Sequence, residues 1–358
     1  MRTLLLLAAV ACSGPSDPTD TGTGPAADPV EALSAPGPYA VGYREEAVSW
    51  TAPPLQAEPR ELRLAVWYPA ADGASGDDVK YQGLFEAPDV LGGAEAAPGA
   101  HPLAVFSHGH QGFAENSSFL AEHLASHGWW VLAPDHTGNT TWDGDDRETA
   151  IYWQRPLDLA AVLDHAEATL PLAGPVVALG HSFGGYTVLA LAGARYDVDG
   201  VVPGCLDGTD DSPFCSTMTE AQADRLREGF RDPRIDAVVA MAPGDWRLFG
   251  SGLADIDLPV LLMTGGQDPG RDGDSYWADL DGADDRRVDL PTGGHQAFTD
   301  FSDTLDGPEA TLDPEEGWRA IRTFALAQAA VHAAGEPLGR PVLDGDAPVS
   351  DAAVLTVR

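Results

Sequence analysis

Apolar positions along the chain fall into two patterns: short continuous or alternating runs bounded by Gly and Pro, and longer stretches with an apolar residue every three or four positions. Leu62, Leu64, Val66 and Tyr68 alternate with Arg63, Ala65 and Trp67, which predicts an early antiparallel strand. The runs at 102–106, 129–133, 175–179, 235–242, 258–264 and 287–290 have the length and apolar content of buried strands. Between them lie helical periodicities. One opens at Ser117 or Ser118, carries Phe119, Leu120, His123, Leu124 and His127 on one face, and stops at Gly128. A second starts at Pro156 and repeats Leu159, Val162, Leu163, Ala166 and Leu170. Further helices are predicted over 219–230 and 314–334. Strands alternating with helices predict one α/β domain, and 358 residues suffice for a large core.

The junction between the strand at 175–179 and the helix after it reads Gly180-His181-Ser182-Phe183-Gly184-Gly185. G-x-S-x-G between strand and helix is a nucleophile elbow, a turn tight enough to require small residues at the glycine positions. It lifts the Ser182 hydroxyl above the sheet at a helix N-terminus, where the dipole favours developing negative charge. The earlier strand ends in Ser107-His108-Gly109-His110-Gln111-Gly112. Such a loop supplies one N–H of an oxyanion hole and the residue after the nucleophile supplies the other, which assigns the main-chain donors to His110 and Phe183. Asp268 follows the strand at 258–264 and His295 follows the strand at 287–290, so the chain order is Ser182, Asp268, His295. A serine hydroxyl is a weak nucleophile at neutral pH. His295 is the candidate base for its proton, and Asp268 the candidate carboxylate to orient the imidazole.

Phe106-Ser107-His108-Gly109, the elbow, and His295-Gln296-Ala297-Phe298-Thr299-Asp300 together resemble platelet-activating-factor acetylhydrolases and the bacterial proteins called predicted dienelactone hydrolases. The likeness to bacterial cutinase-type polyester hydrolases is looser. Val41 to Arg44, Leu64 to Ala70, and Arg155-Pro156-Leu157-Asp158 also resemble the bacterial proteins, and the similarity spans roughly residues 37 to 335. It implies an α/β-hydrolase domain with a mostly parallel eight-stranded sheet, helices on both faces, and ester hydrolysis through an acyl-enzyme without a cofactor. Expected substrates are short-chain or lipid-like esters; a polyester hydrolase, a lipase and an inactive binding module are the alternatives. Two departures stand out. Small cytosolic dienelactone hydrolases use a cysteine nucleophile, where this elbow has serine. In the acetylhydrolases the acid follows the strand after the elbow; here that strand ends Pro243-Gly244-Asp245 with no aspartate directly at its end, which leaves Asp268 as the better candidate and Asp245 as a displaced alternative.

The remaining features concern the ends, the cysteines and the charge. Arg2 precedes an apolar run ending Ala9-Val10-Ala11-Cys12, which looks like a bacterial lipobox. The expectation is a signal over 1–12, a lipid on Cys12, a polar tether over 13–36, the catalytic domain over 37–335 and a C-terminal tail over 336–358. That places the protein outside the cytoplasm, anchored to a membrane, and a monomer is expected. The stretch 195–233 departs from the strand/helix rhythm and reads as an insertion, either a lid or a surface excursion. It contains Cys205 and Cys215, for which an oxidising compartment predicts a local disulfide; two free thiols are the alternative. A net charge of −36, with Lys80 the single lysine, argues against nucleic acid as a partner. The aspartates between 272 and 285 lack the spacing of a calcium loop, so no metal is predicted. Trp142, Trp153, Trp246 and Trp277, near the motif ends, are candidates for gripping the acyl or alcohol group.

Overall fold

The computed structural model describes residues 28–144, 148–270 and 272–358. Among these, eleven strands form one sheet: β1 Val41–Ala52, β2 Gln56–Pro69, β3 Asp77–Tyr81, β4 Phe85–Gly92, β5 His101–Ser107, β6 Trp130–Pro134, β7 Leu172–His181, β8 Ile235–Met241, β9 Val260–Gly265, β10 Arg286–Leu290 and β11 Val354–Val357. Their spatial order is β11-β10-β9-β8-β7-β5-β6-β2-β1-β4-β3. From β6 across to β10 every neighbouring pair is parallel, while β2 on β6, β1 on β2, β3 on β4 and β11 on β10 are antiparallel.

Side chains that alternate along the central strands go to opposite faces of the sheet, because a strand repeats every two residues. Ala104, Phe106, Val177, Leu179, Val239 and Met263 join one core with helices Ser118–Ser126 and Pro314–Gln328. Leu103, Val105, Ala178, Val238, Ala240 and Leu262 join a second core with helices Thr149–Thr169 and Phe183–Ala192. Burial on both faces is why these strands read as continuous apolar runs.

The sheet is wider than the eight strands expected. The short β3 buries just Val79 and Tyr81, and β11 has no fully buried residue, so neither carries a strong apolar period. β11 also corrects the reading of residues 336–358 as a tail. This segment packs Val342 and Leu343 into a core and its end pairs with β10 from Arg286↔Val357 to Asp289↔Val354. Pro156 lies inside the helix Thr149–Thr169, not at its start. The insertion at 195–233 folds as helices Val198–Asp207 and Glu220–Glu228, the latter begun by a Thr219/Gln222 capping box. Phe214 stacks edge-on with Tyr152 in the second core, so this segment covers a flank of the domain.

β5 has β6 on one side and β7 on the other. The chain therefore leaves β5 and β7 in opposite directions, and such a switch point opens a crevice at the carboxyl ends of the strands. Both glycine-rich motifs sit there.

Candidate active site

At the end of β7 the chain turns into a helix within one residue. Ser182 has φ 55° and ψ −120°, a strained backbone for a residue with a side chain, and the helix Phe183–Ala192 begins immediately after it. Close approach explains the flanking glycines. A methyl on Gly180 would lie 2.2 Å from the Gly184 carbonyl oxygen, and one on Gly184 would lie 1.8 Å from that of Ser107. The Ser182 N–H donates to the Met241 carbonyl at 2.8 Å, tying the turn to β8.

Three side chains meet above it. Ser182 Oγ is 2.9 Å from His295 Nε2, and His295 Nδ1 is 2.7 Å from Asp268 Oδ2. The Nδ1–H therefore donates to the carboxylate and leaves Nε2 to accept the serine proton. Burial opposes ionisation of Asp268, but the hydrogen bond and charge of His295 outweigh it and hold the carboxyl below its ordinary range. The Gly270 N–H also donates to Asp268, at 2.9 Å. Asp245 lies past the end of β8 and lines the same cleft. The chain section carrying His295 is held from both sides. His181 Nε2–H donates to the His295 carbonyl at 2.8 Å, and Asp306 accepts the Gln296 N–H at 2.8 Å. Burial, aided by the nearby imidazole of His295, pushes His181 down to about 3, so it stays neutral.

The loop after β5 passes over the elbow. A methyl on Gly109 would stand 3.3 Å from Ser182 Cβ, and Gly109, His110, Gln111 and Gly112 line the cleft beside Ser182. Phe183 opens the elbow helix next to the nucleophile, with its ring fully buried against Tyr152 and Tyr186. The two segments expected to supply oxyanion N–H groups thus lie next to the serine. The cleft measures about 550 Å³, and its lining mixes the polar side chains of Asn116, Gln296, Asp245 and Asp272 with apolar surface.

A family model described as serine aminopeptidase, S33 (Hydrolase_4) matches residues 99–204, which include β5, β7 and the elbow. A ferulic acid esterase from Streptomyces cinnamoneus, solved at 2.4 Å resolution, aligns with a TM-score of 0.61 at 22% identity. The alignment covers 90% of this chain and 98% of that one. The chain has the α/β-hydrolase fold. No curated protein matches its sequence. Within this α/β-hydrolase fold the acid that reaches the histidine comes from the end of β9, one strand later than in the acetylhydrolases.

Other expected site residues fall elsewhere. None of the four tryptophans is among the residues lining the cleft. Trp153 is buried in the second core, Trp246 donates to Asp279 at 2.7 Å, and Trp277 packs under the Arg358 guanidinium. Trp142 is 53% exposed and packs on Phe113, which follows the cleft residue Gly112. The insertion at 195–233 contributes no cleft residue in this conformation. Cys205 and Cys215 form a disulfide with sulfurs 1.97 Å apart. Cys12 and the lipobox lie outside the described residues.

Several groups escaped the sequence reading. His181, Asp300 and Asp306 position the His295 loop; the first two stand inside the elbow and the His295 motif without a role assigned to them there, and Asp306 lies outside every motif. Asp300 is the clearest case. Its carboxylate accepts the N–H groups of Ser118 (2.8 Å) and Phe119 (3.3 Å), while Ser117 Oγ instead donates to the Phe298 carbonyl. The helix begun by Ser118 is thus capped from 182 residues away. The proximity of Asp300 to His295 in the sequence was the available signal.

Proposed function

We propose that this chain is a serine carboxylic ester hydrolase acting through an acyl-enzyme on lipid-like esters. The observation that carries this reading is the hydrogen-bonded line Ser182–His295–Asp268 at the mouth of an open cleft. Ser182 Oγ attacks the ester carbonyl as its proton passes to His295 Nε2. The resulting oxyanion faces the main chain of His110 and Phe183, and Asp268 stabilises the imidazolium. His295 then protonates the departing alcohol. Water, deprotonated by His295, attacks the acyl-enzyme, and the acid leaves with Ser182 regenerated.

The lipid-like substrate is supported by an apolar cluster beside the cleft. Beside the cleft, Phe85, Phe113 and Phe301 pack ring to ring, Trp142 extends the cluster, and Leu84 and the cleft residue Leu305 are each more than 60% exposed. An exposed apolar cluster next to a cleft of mixed polarity suits an ester with both polar and apolar parts, as in the acetylhydrolase-type proteins the sequence resembles. The ferulic acid esterase neighbour supports an ester as the bond cleaved. Export and anchoring through a lipid on Cys12 complete the proposal, since the leader has lipobox character.

The test is incubation with a fluorophosphonate, followed by a panel of esters of rising acyl length, with Ser182→Ala as control. Labelling at Ser182 and turnover lost in the control are expected. Absence of both label and turnover in the wild-type protein would leave a binding module instead.

A further inference from the structure

Beneath the loop after β5, away from the cleft, a second serine, histidine and aspartate line up in the interior. Ser107 Oγ is 2.9 Å from His136 Nε2, and His136 Nδ1 is 2.8 Å from Asp158 Oδ2. All three are fully buried, so Ser107 cannot meet a substrate. Burial, reinforced by the Arg155 guanidinium, holds the imidazoles of His108 and His136 well below their usual range. Neutral rings fix the direction of every bond. His136 Nδ1–H donates to Asp158, which leaves Nε2 to accept from the Ser107 hydroxyl, and the Ser107 oxygen accepts from Arg155 Nη2 at 3.1 Å. Asp158 also receives Trp50 Nε1–H and Arg60 Nε–H on one oxygen, and Arg60 Nη2–H on the other. Burial pushes its carboxyl up from the usual range, and the Arg60 pair opposes that.

This network ends on the loop that faces Ser182. Arg155 Nη2 also donates to the His108 carbonyl, and Arg155 Nη1 donates to Asn139 Oδ1 at 2.9 Å. Asn139 Nδ2 in turn donates to His110 Nδ1 at 2.9 Å. The His136 main-chain N–H donates to His108 Nε2 at 3.1 Å, leaving His108 Nδ1–H for the Gly109 carbonyl at 2.7 Å. Four consecutive residues, Ser107 to His110, are each held by at least one of these bonds. A loop rich in glycine would otherwise be free to move, and a displacement of about 1 Å at a reacting centre can cost about a hundredfold in rate.

We propose that Arg155, Ser107, His136 and Asp158 form a positioning device that holds the main chain of His108 to His110 where its N–H meets the oxyanion formed at Ser182. The proposal rests on the ester-hydrolase reading above. None of the four touches substrate. Their effect is on the tetrahedral state and not on binding of the ground-state ester.

The experiment uses the full chain with p-nitrophenyl acetate as substrate and a trifluoromethyl ketone, which forms a tetrahedral adduct with the serine. Ser107→Ala removes one hydroxyl with little change of volume; Asp158→Asn keeps the shape but withdraws the charge. Expected are a fall in kcat of about tenfold or more, KM within about twofold, and a parallel loss of affinity for the ketone. Fluorophosphonate labelling in both variants should still occur at Ser182, more slowly. If Asp158→Asn fails to fold, Ser107→Ala decides. A Ser107→Ala protein that melts at lower temperature but retains wild-type kcat and ketone affinity would show that the network is structural only, and would overturn the proposal. Wild-type protein with neither label nor turnover would overturn the ester-hydrolase reading and this proposal with it.

Discussion

The carboxylate of Asp268 lies 2.7 Å from Nδ1 of His295, and the imidazole's other nitrogen faces Ser182 at 2.9 Å. Asp245 sits in the same cleft after the preceding strand, so two carboxylates compete for one role and the hydrogen bond distinguishes them. Replacing Asp268 by Asn should preserve shape but favour the wrong imidazole tautomer, with a loss in kcat of about 10⁴, as in a serine-protease triad. Asp245→Asn should cost about tenfold or less. Steady-state kinetics on the two variants checks the order, and the reverse order of severity would return the acid to the position used by the acetylhydrolases.

Ser182→Ala should fold as the wild type does and lose several orders of magnitude in kcat, because the members of a triad act as a unit. The substitution removes only the hydroxyl and keeps the Cβ at this positive φ, where alanine is no better suited than serine, so the melting temperature should change little. Turnover near wild type in this variant would end the mechanism.

Burial pushes the Asp300 carboxyl up to about 7, against the opposing bonds from the Ser118 and Phe119 N–H groups. Between the ordinary value of 3.8 and about 7 the folded chain then binds this proton more tightly than the unfolded chain. Stability from this group is present below about pH 4 and is lost as pH rises through 7, by roughly 3 × 1.36, or ~4 kcal/mol. Asp300→Asn should therefore raise the melting temperature at pH 8 and flatten its dependence between pH 5 and 8. A variant less stable than wild type at pH 8 would show that the charged cap outweighs the cost of burial.

The disulfide closes a loop of ten-residue separation. On the chain-entropy model, reduction should cost about 2–3 kcal/mol, without direct effect on the cleft because no residue of the loop lines it. Thermal melts with and without reductant, together with alkylation of Cys205 and Cys215, test this. A melting temperature unchanged by complete reduction would contradict it.

Cys12 is expected to carry the anchor. The wild-type protein recovered from membranes should enter the detergent phase, and Cys12→Ala should remain aqueous, since each buried CH₂ of a lipid chain contributes ~0.8 kcal/mol. Wild-type protein that stays wholly aqueous after export would refute the lipid.

What the sequence by itself determined is local in origin. Apolar runs buried on both faces mark the central strands, and the glycines around Ser182 mark a turn where the chain comes within contact of itself. Asp268 and His295 were legible because each follows the end of a strand, where side chains emerge from the sheet into open space. The tertiary structure decided everything that depends on distant partners. It chose Asp268 over Asp245 for His295, made Asp300 the cap of a helix 182 residues earlier, and turned the last residues into an edge strand on β10. It also sent Trp153 into the core and joined Ser107, His136, Asp158 and Arg155. Periodicity and turn chemistry act over a few residues, so the sequence carries them openly. A buried polar group's partner can come from anywhere in the chain, and the folded packing alone brings the two within hydrogen-bond distance.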